Sequence, residues 1–338
     1  MKKPVVAVVG ATGLVGEVLL QIMQERRFEV AELRPLASRR SAGSEIRFQD
    51  RNWPVKEANG QAFENCDLVF FAATGSLSRD LAPEAVKQGA VVIDKSGTWR
   101  MEPQVPLVVP EINGDQILSK PGIIACPNCS TIGFTMALEA LRRRVGLKRV
   151  VVTTLQAVSG TGKDGLNELQ AQRAGQAEPQ IFPHAIDDNV IPQCEGFRDD
   201  GFTTEEVKLL FETRKIMNLP QLEVSMTCVR VPVQVGHSAS ILVETEQDLD
   251  PQQARQALRE MPGVMVIDDP STESYPTPEA VKNSDAVMVG RIRSDFQHPR
   301  RLWLWQVANN LRKGAATNAV QIAEILWPQS HSPATMSR

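Results

Sequence analysis

Cys129 lies in Pro127-Asn128-Cys129-Ser130-Thr131, between an apolar run ending at Ala125 and a helical pattern beginning near Thr131. A thiol at a helix N-terminus faces the positive end of the backbone dipoles, which lowers its pKa and favours the nucleophilic thiolate. Taken alone, a cysteine is more often a small buried hydrophobe, and Cys66, Cys194 and Cys228 are read that way. His237, in Gly236-His237-Ser238, falls in a turn between two strand-like runs. An imidazole there titrates near neutral pH and can relay protons to a thiol. Arg230 sits in the preceding apolar strand, Cys228-Val229-Arg230-Val231-Pro232, where a charge wants an anionic partner from protein or substrate. Cys126-x-x-Cys129 raises metal or redox chemistry, yet no second pair accompanies it and His184, His237, His298 and His331 lack ligand spacing. No metal site is expected.

A second kind of chemistry is written in glycine. Gly10-x-x-Gly13-x-x-Gly16 follows the apolar run at 4–9 and opens a helical pattern carrying Val18, Leu19, Leu20, Ile22 and Met23. In that setting the missing Cβ atoms let backbone approach a pyrophosphate, and the helix amides face its charge; without ligand it is a tight turn. Glu32 stands at a distance suited to a ribose 2′-hydroxyl. The apolar run continues past it, however, to Ser38-Arg39-Arg40-Ser41-Ala42-Gly43. Two guanidinium groups and two hydroxyls suit a 2′-phosphate, so NADP is favoured over NAD; the bland alternative is a solvated basic turn.

These residues need a scaffold. Runs at 4–9, 29–38, 67–72, 90–94, 107–110 and 122–125 read as strands, with helical segments such as 79–88 between some of them, which implies a mostly parallel sheet covered by helices. From about 131 the pattern changes to a helix at 131–144, a β-branched run at 150–154, a polar stretch to about 200, a helix at 203–217 and strands at 222–233 and 238–246. An amphipathic helix from Gly314 to Leu326 precedes a polar tail. The fold class is therefore α/β, a Rossmann-like parallel sheet with a second, mixed α+β domain. Expected boundaries are 1–130 plus 314–330 for the first domain, 131–313 for the second and 331–338 for a flexible tail.

Composition agrees with a two-domain globular chain: 338 residues, 42% hydrophobic and 23% charged. Thirty-seven basic against 40 acidic residues, net −3, argue against nucleic-acid wrapping or a polybasic membrane surface. No run approaches a membrane span. The Met-Lys-Lys-Pro start resembles a signal peptide superficially, but Gly10, Thr12 and Gly13 interrupt the apolar stretch and Glu17 follows without a cleavage site. Five cysteines without an export signal point to reduced thiols in the cytoplasm.

The whole set resembles the aspartate-semialdehyde dehydrogenase family from about residue 5 to 327. Its markers are Gly10-Ala11-Thr12-Gly13, Ser41-Ala42-Gly43, Val109-Pro110-Glu111, Pro127–Thr131, Gln156-Ala157-Val158-Ser159-Gly160, Cys228–Pro232, Gly236-His237-Ser238 and Asn310-Leu311-Arg312-Lys313-Gly314-Ala315-Ala316. The resemblance implies Cys129 as nucleophile, His237 as acid/base and Gln156 as the residue orienting an acyl intermediate. It implies Arg230 on a substrate carboxylate, Glu205 on a substrate amine, Arg100 and Lys208 on phosphate, and Asn128 beside the substrate. For NADP(H) it implies Gly10, Thr12, Gly13, Leu14, Val15, Ser38, Arg39, Ser41, Thr74, Ser159, Gly160 and Asn310. The implied reaction is reductive dephosphorylation of β-aspartyl phosphate to aspartate semialdehyde and phosphate through a cysteinyl thioester. It would serve lysine (with diaminopimelate), threonine and methionine synthesis, in a homodimer or a dimer of dimers. On the bland reading, Glu205 and Lys208 are an i,i+3 surface pair.

Lys95, Gly97, Cys126 and Asn309 depart from the family pattern. An N-acetylglutamyl-phosphate reductase is the alternative enzyme, against which Glu205 and Arg230 argue, since they suit a free amine and a carboxylate. A non-catalytic NADP-binding paralogue is the alternative of another class, disfavoured by the intact Cys129 and His237.

Overall fold

Continuous apolar runs become the strands of a parallel sheet in the first of two units, Met1–Pro127 with Ala315–Arg338. The structure, a computed structural model, describes residues 3–117, 119–176 and 178–328; the tail expected at 331–338 lies outside them. Val5–Val9 (β1) leads through the glycine turn into Leu14–Glu25 (α1), then Glu32–Ala37 (β2). A hairpin, Glu45–Phe48 (β3) and Arg51–Pro54 (β4), and the short Lys56–Glu57 (β5) follow. Leu68–Phe71 (β6), Gly75–Lys87 (α2), Val91–Asp94 (β7), Pro110–Asn113 (α3) and Gly122–Ala125 (β8) complete the N-terminal part. The sheet order is β5-β2-β1-β6-β7-β8, all parallel. This is the Rossmann-like order, with its switch point between β1 and β6.

Period-two alternation explains why these strands are apolar throughout. Val6 and Val8 face one core with Leu19, Ile22 and Met23 of α1 and Val320 and Ile322 of the C-terminal helix, Thr317–Leu326. Ala7 and Val9 face the other, with Phe71 and with Ala82 and Ala85 of α2. Arg26, capping α1, makes a two-pronged ion pair with Glu324 of the C-terminal helix, at 2.9 and 2.6 Å.

The second unit is Asn128–Gly314. Cys129–Val145 (α4), Leu147–Gln156 (β9), Lys163–Arg173 (α5), Thr204–Met217 (α6), Glu223–Arg230 (β10) and His237–Thr245 (β11) come first. Pro251–Glu260 (α7), Val264–Val266 (β12), Val287–Ser294 (β13) and Arg301–Ala308 (β14) follow. Its sheet runs β10-β9-β11-β14-β13-β12 with mixed directions. One face is buried, where Val150, Val152, Ile241, Val243, Leu302 and Leu304 lie against helices including α4. The other leaves Val151, Leu155, Leu242, Trp303 and Trp305 half-exposed.

Several readings are corrected. Residues 107–110 form no strand: Leu107 makes an isolated bridge to Ala125, and Pro110 opens α3. Asn113 breaks the run, accepting from Val109 N–H and donating to the Leu107 carbonyl. The helix expected from Gly314 begins instead as a π turn over Arg312–Ala316. His237 is the first residue of β11, not a turn residue. The polar stretch before 200 hides α5, pinned through Leu169 to Val158, Phe182, Ile186 and Ile191.

Candidate active site

The Asn128 side chain caps α4, its Oδ1 accepting from Ser130 N–H at 2.8 Å. Cys129 is thus the first helical residue and half-buried, where the helix amides favour a thiolate. His237 Nε2 lies 3.3 Å from Cys129 Sγ, and its Nδ1 accepts from the Ala157 N–H at 3.0 Å. Burial, then the Arg230 guanidinium, hold this imidazole well below its ordinary pKa. Gly236, at φ +100°, turns the chain into β11. Its N–H donates to Asn310 Oδ1 at 2.9 Å, while Asn310 Nδ2 donates to Ser159 Oγ at 2.9 Å.

Sheet register brings the remaining side chains to the same end. Gln156 and Arg230 are register partners at the ends of β9 and β10, and Ser238 of β11 pairs with Leu155. Arg230 is buried, and its Nη1 donates to the Ala157 carbonyl at 2.7 Å. Among the described residues no carboxylate makes an ion pair with it, and its hydrogen bond goes to that backbone carbonyl. A Cβ on Gly160 would lie 2.7 Å from Arg230 Nη1 and 3.5 Å from His237 Cε1. One on Gly314 would lie 3.0 Å from the Cys129 carbonyl.

Glu205, buried on α6, accepts from Gln156 Nε2 at 3.0 Å and Asn128 Nδ2 at 2.9 Å. Burial pushes its carboxyl up, opposed chiefly by Lys208, whose Nζ is 3.7 Å away and also paired to Glu195. Glu205 and Lys208 are therefore not merely an exposed surface pair. One face of α6 also carries Glu212, which accepts from the Asn128 N–H at 2.7 Å. Burial pushes Cys194 up to about 12 and raises Cys228 further, leaving both as neutral thiols.

In the first unit, Gly10 has φ +85° and its Cβ would meet the Ala72 carbonyl at 2.4 Å; a Cβ on Gly16 would meet the Gly10 carbonyl at 2.1 Å. No side chain caps α1 at Gly13, so Leu14 and Val15 bring open first-turn amides to the loop. Thr12 stands in this loop, and Thr74 holds the N-cap position of α2, after β6, without a side-chain capping bond. Ser38, Arg39 and Arg40 are exposed at the end of β2, followed by Ser41, whose N–H donates to the Ser38 carbonyl. Glu32 is at the opposite end of β2, paired with Arg34 at 2.7 Å, and so is removed from the ribose position. Arg100 is buried, donating to the carbonyls of Cys126 and Lys95, each at 2.9 Å.

Two departures acquire local reasons. Asn309 Nδ2 donates to the carbonyls of Val281 and Lys282, which an aspartate could not do, while its Oδ1 accepts from Leu311 and Arg312 N–H. Cys126 is fully buried, and burial raises its thiol pKa. Sequence reasoning missed Ala157, which acts through its backbone and leaves no side-chain signal. It also missed Glu212, whose seven-residue spacing from Glu205 on one helix face was readable.

The semialdehyde dehydrogenase NAD binding domain matches residues 5–120 and the semialdehyde dehydrogenase dimerisation domain matches residues 138–313. Fold, site and matched domains together define a semialdehyde dehydrogenase. The aspartate-semialdehyde dehydrogenase of Aquifex aeolicus is 48% identical, covering 95% of this chain and 97% of that relative. The crystal structure of aspartate semialdehyde dehydrogenase II complexed with ASA from Vibrio cholerae has a TM-score of 0.94 at 42% identity, covering 98% of this chain and 100% of that one. The Candida albicans aspartate semialdehyde dehydrogenase with NADP has a TM-score of 0.77 at 27% identity, covering 96% and 98%. The chain belongs to the aspartate-semialdehyde dehydrogenase family.

Proposed function

We propose that this enzyme converts β-aspartyl phosphate to aspartate semialdehyde and phosphate through a thioester on Cys129, with NADPH as reductant. The observation that carries this reading is a thiol at a helix N-terminus 3.3 Å from an imidazole. The pathway role follows from the family: supply of the semialdehyde to lysine, diaminopimelate, threonine and methionine synthesis.

The residues fit a phosphorylated dinucleotide. Gly10 and Gly16 leave a cradle that Cβ atoms would fill, and the first amides of α1 lack a side-chain cap. Arg39 and Arg40 stand exposed at the end of β2, a charge placement suited to a 2′-phosphate. Ser38, Ser41, Thr74, Ser159, Gly160 and Asn310 complete the proposed cofactor set. When bound, the nicotinamide supplies the hydride. Arg230 would hold the substrate carboxylate, Glu205 the amine, and Arg100 and Lys208 the phosphate, with Gln156 and Asn128 orienting the acyl group. The Cys129 thiolate attacks the acyl carbon, the bond to phosphate breaks with phosphate leaving, and the covalent thioester, at the same oxidation level, is the group that is then reduced. His237 would act as the acid/base, donating a proton to the oxygen that gains charge on reduction and taking one back as the aldehyde forms.

The half-exposed sheet face with Val151, Leu155, Leu242, Trp303 and Trp305 is the proposed homodimer surface, with a dimer of dimers as the larger assembly. A cytoplasmic setting agrees with five free cysteines; no described helix is long and apolar enough to cross a membrane. To test the function, NADPH formation is followed from aspartate semialdehyde plus phosphate, comparing the native enzyme with Cys129→Ser. A loss of at least ~10³-fold is expected. Activity only with N-acetylglutamate semialdehyde would refute the substrate, and equal rates would refute the nucleophile.

A further inference from the structure

Lys208, on the second turn of α6, is held between two carboxylates. Its Nζ donates to both oxygens of Glu195 and lies 3.7 Å from Glu205 Oε2. Glu195 comes from the segment ahead of α6 and has a left-handed backbone, φ +64°, which a residue with a side chain adopts only when its surroundings hold it there. Two bonds do so: Thr204 Oγ1 donates to Glu195 Oε2 at 2.6 Å, and Gln193 Nε2 donates to the Glu195 carbonyl at 3.0 Å. Resting on the assignment of Lys208 to phosphate made above, we propose that the Glu195 carboxylate occupies the phosphate's place on Lys208 while the site is empty. It gives way when substrate binds and retakes the ammonium as free phosphate leaves.

Charge requires the exchange. Lys208 already has a full partner in Glu195 and a second carboxyl close by, so an arriving phosphate dianion meets repulsion unless one of them moves. Glu205 is fixed: it is buried, and its oxygens accept from Gln156 Nε2 and Asn128 Nδ2. Glu195 is free to yield. Its side chain is 42% exposed against 5% for Glu205, so it can turn into water without leaving a bare charge buried. Ion pairs this exposed hold little net free energy and are readily displaced. The charge of Glu195 also reaches its neighbour: burial raises the Glu205 carboxyl, Lys208 opposes this, and Glu195 adds to it.

The competition acts unequally on the two phosphate compounds. Substrate carries a carboxylate and an amine, placed above on Arg230 and Glu205, and holds the site by those as well as by its phosphate. Free phosphate has neither grip, so a weakened hold on Lys208 is what lets it go. No covalent step changes: the bond to phosphate breaks as proposed above, and only the partner of one ammonium is exchanged. Glu195 is thus a positioning residue that acts through Lys208 and sets how strongly the site retains phosphate.

Line broadening of the ³¹P signal of inorganic phosphate by the full-length enzyme reads phosphate affinity without turnover. Glu195→Gln keeps an oxygen for Thr204 and removes only the charge, so it is expected to fold as wild type. Its phosphate dissociation constant should fall about 5-fold, the upper end for an exposed ion pair. In the reaction of aspartate semialdehyde with phosphate, the KM for phosphate should fall alongside, while that for aspartate semialdehyde moves less than about 2-fold. Lys208→Met should weaken phosphate binding about 10-fold or more. Adding Glu195→Gln to Lys208→Met should then bring no gain, because both changes act on one contact. Unchanged or weaker phosphate binding in Glu195→Gln makes Glu195 a loop anchor and overturns the proposal. An equal gain in the Lys208→Met background makes it a general charge effect, which also overturns it. Wild-type phosphate binding in Lys208→Met is a separate failure, removing the phosphate assignment itself and the proposal with it.

Discussion

The glycine loop of the first unit and the thiol site of the second are built by different means. Gly10, Gly13 and Gly16 are neighbours in sequence and offer backbone, their spacing set by close approaches to the Ala72 and Gly10 carbonyls. Cys129, Gln156, Glu205, Arg230 and His237 come from α4, β9, α6, β10 and β11, and meet only because the mixed sheet aligns their ends. In the first region a Cβ is the intruder; in the second, a missing polar atom is. Substitutions in the two places should therefore fail differently, one through folding and nucleotide affinity, the other through chemistry in an intact fold.

The largest expected contrast is between Cys129→Ser and Gly10→Ala. Cys129→Ser should lose ~10³-fold or more in turnover while its melting temperature stays within a few degrees of wild type. Gly10→Ala places a methyl 2.4 Å from a carbonyl at positive φ, which should cost ~1–3 kcal/mol in the thermal unfolding curve and weaken nucleotide binding. Wild-type stability in Gly10→Ala would erase the distinction. Next in size, Arg39→Ala should weaken NADP binding about 10-fold or more, the scale of a lost charge-assisted hydrogen bond, and leave NAD nearly unchanged. Calorimetric titration with both nucleotides checks this; an equal loss would contradict the 2′-phosphate reading.

The smallest effect is a pH dependence confined to the second region. The folded pKa of His237 lies well below 6.5, so between that value and 6.5 the unfolded chain binds more protons and stability rises with pH. The contribution is complete above pH 6.5 and is lost as pH falls. Denaturant melts across that window should show a shallower slope for His237→Gln than for wild type; an unchanged slope would mean that another group carries it.

The same contrast explains what the sequence made legible. The parallel sheet followed from apolar runs separated by helical periods, and the loop from three glycines in the right context. Cys129 was readable because it falls between an apolar run ending at Ala125 and a helical pattern beginning near Thr131. The hairpin β3–β4 and strands β12–β14 were not anticipated, since their pairing is settled by partners distant in sequence. Residues 107–110 misled because an apolar run carries no notice that Asn113 will fold back on it. The Ala157 contacts were invisible for a stricter reason: they use peptide atoms that every residue shares.

The central claim is acylation of a single sulfur, and mass spectrometry addresses it directly. Protein given β-aspartyl phosphate without nucleotide should gain the mass of one aspartyl group on the peptide bearing Cys129, and Cys129→Ser should gain none. An unmodified Cys129 in folded protein, with phosphate release unaffected, would contradict it.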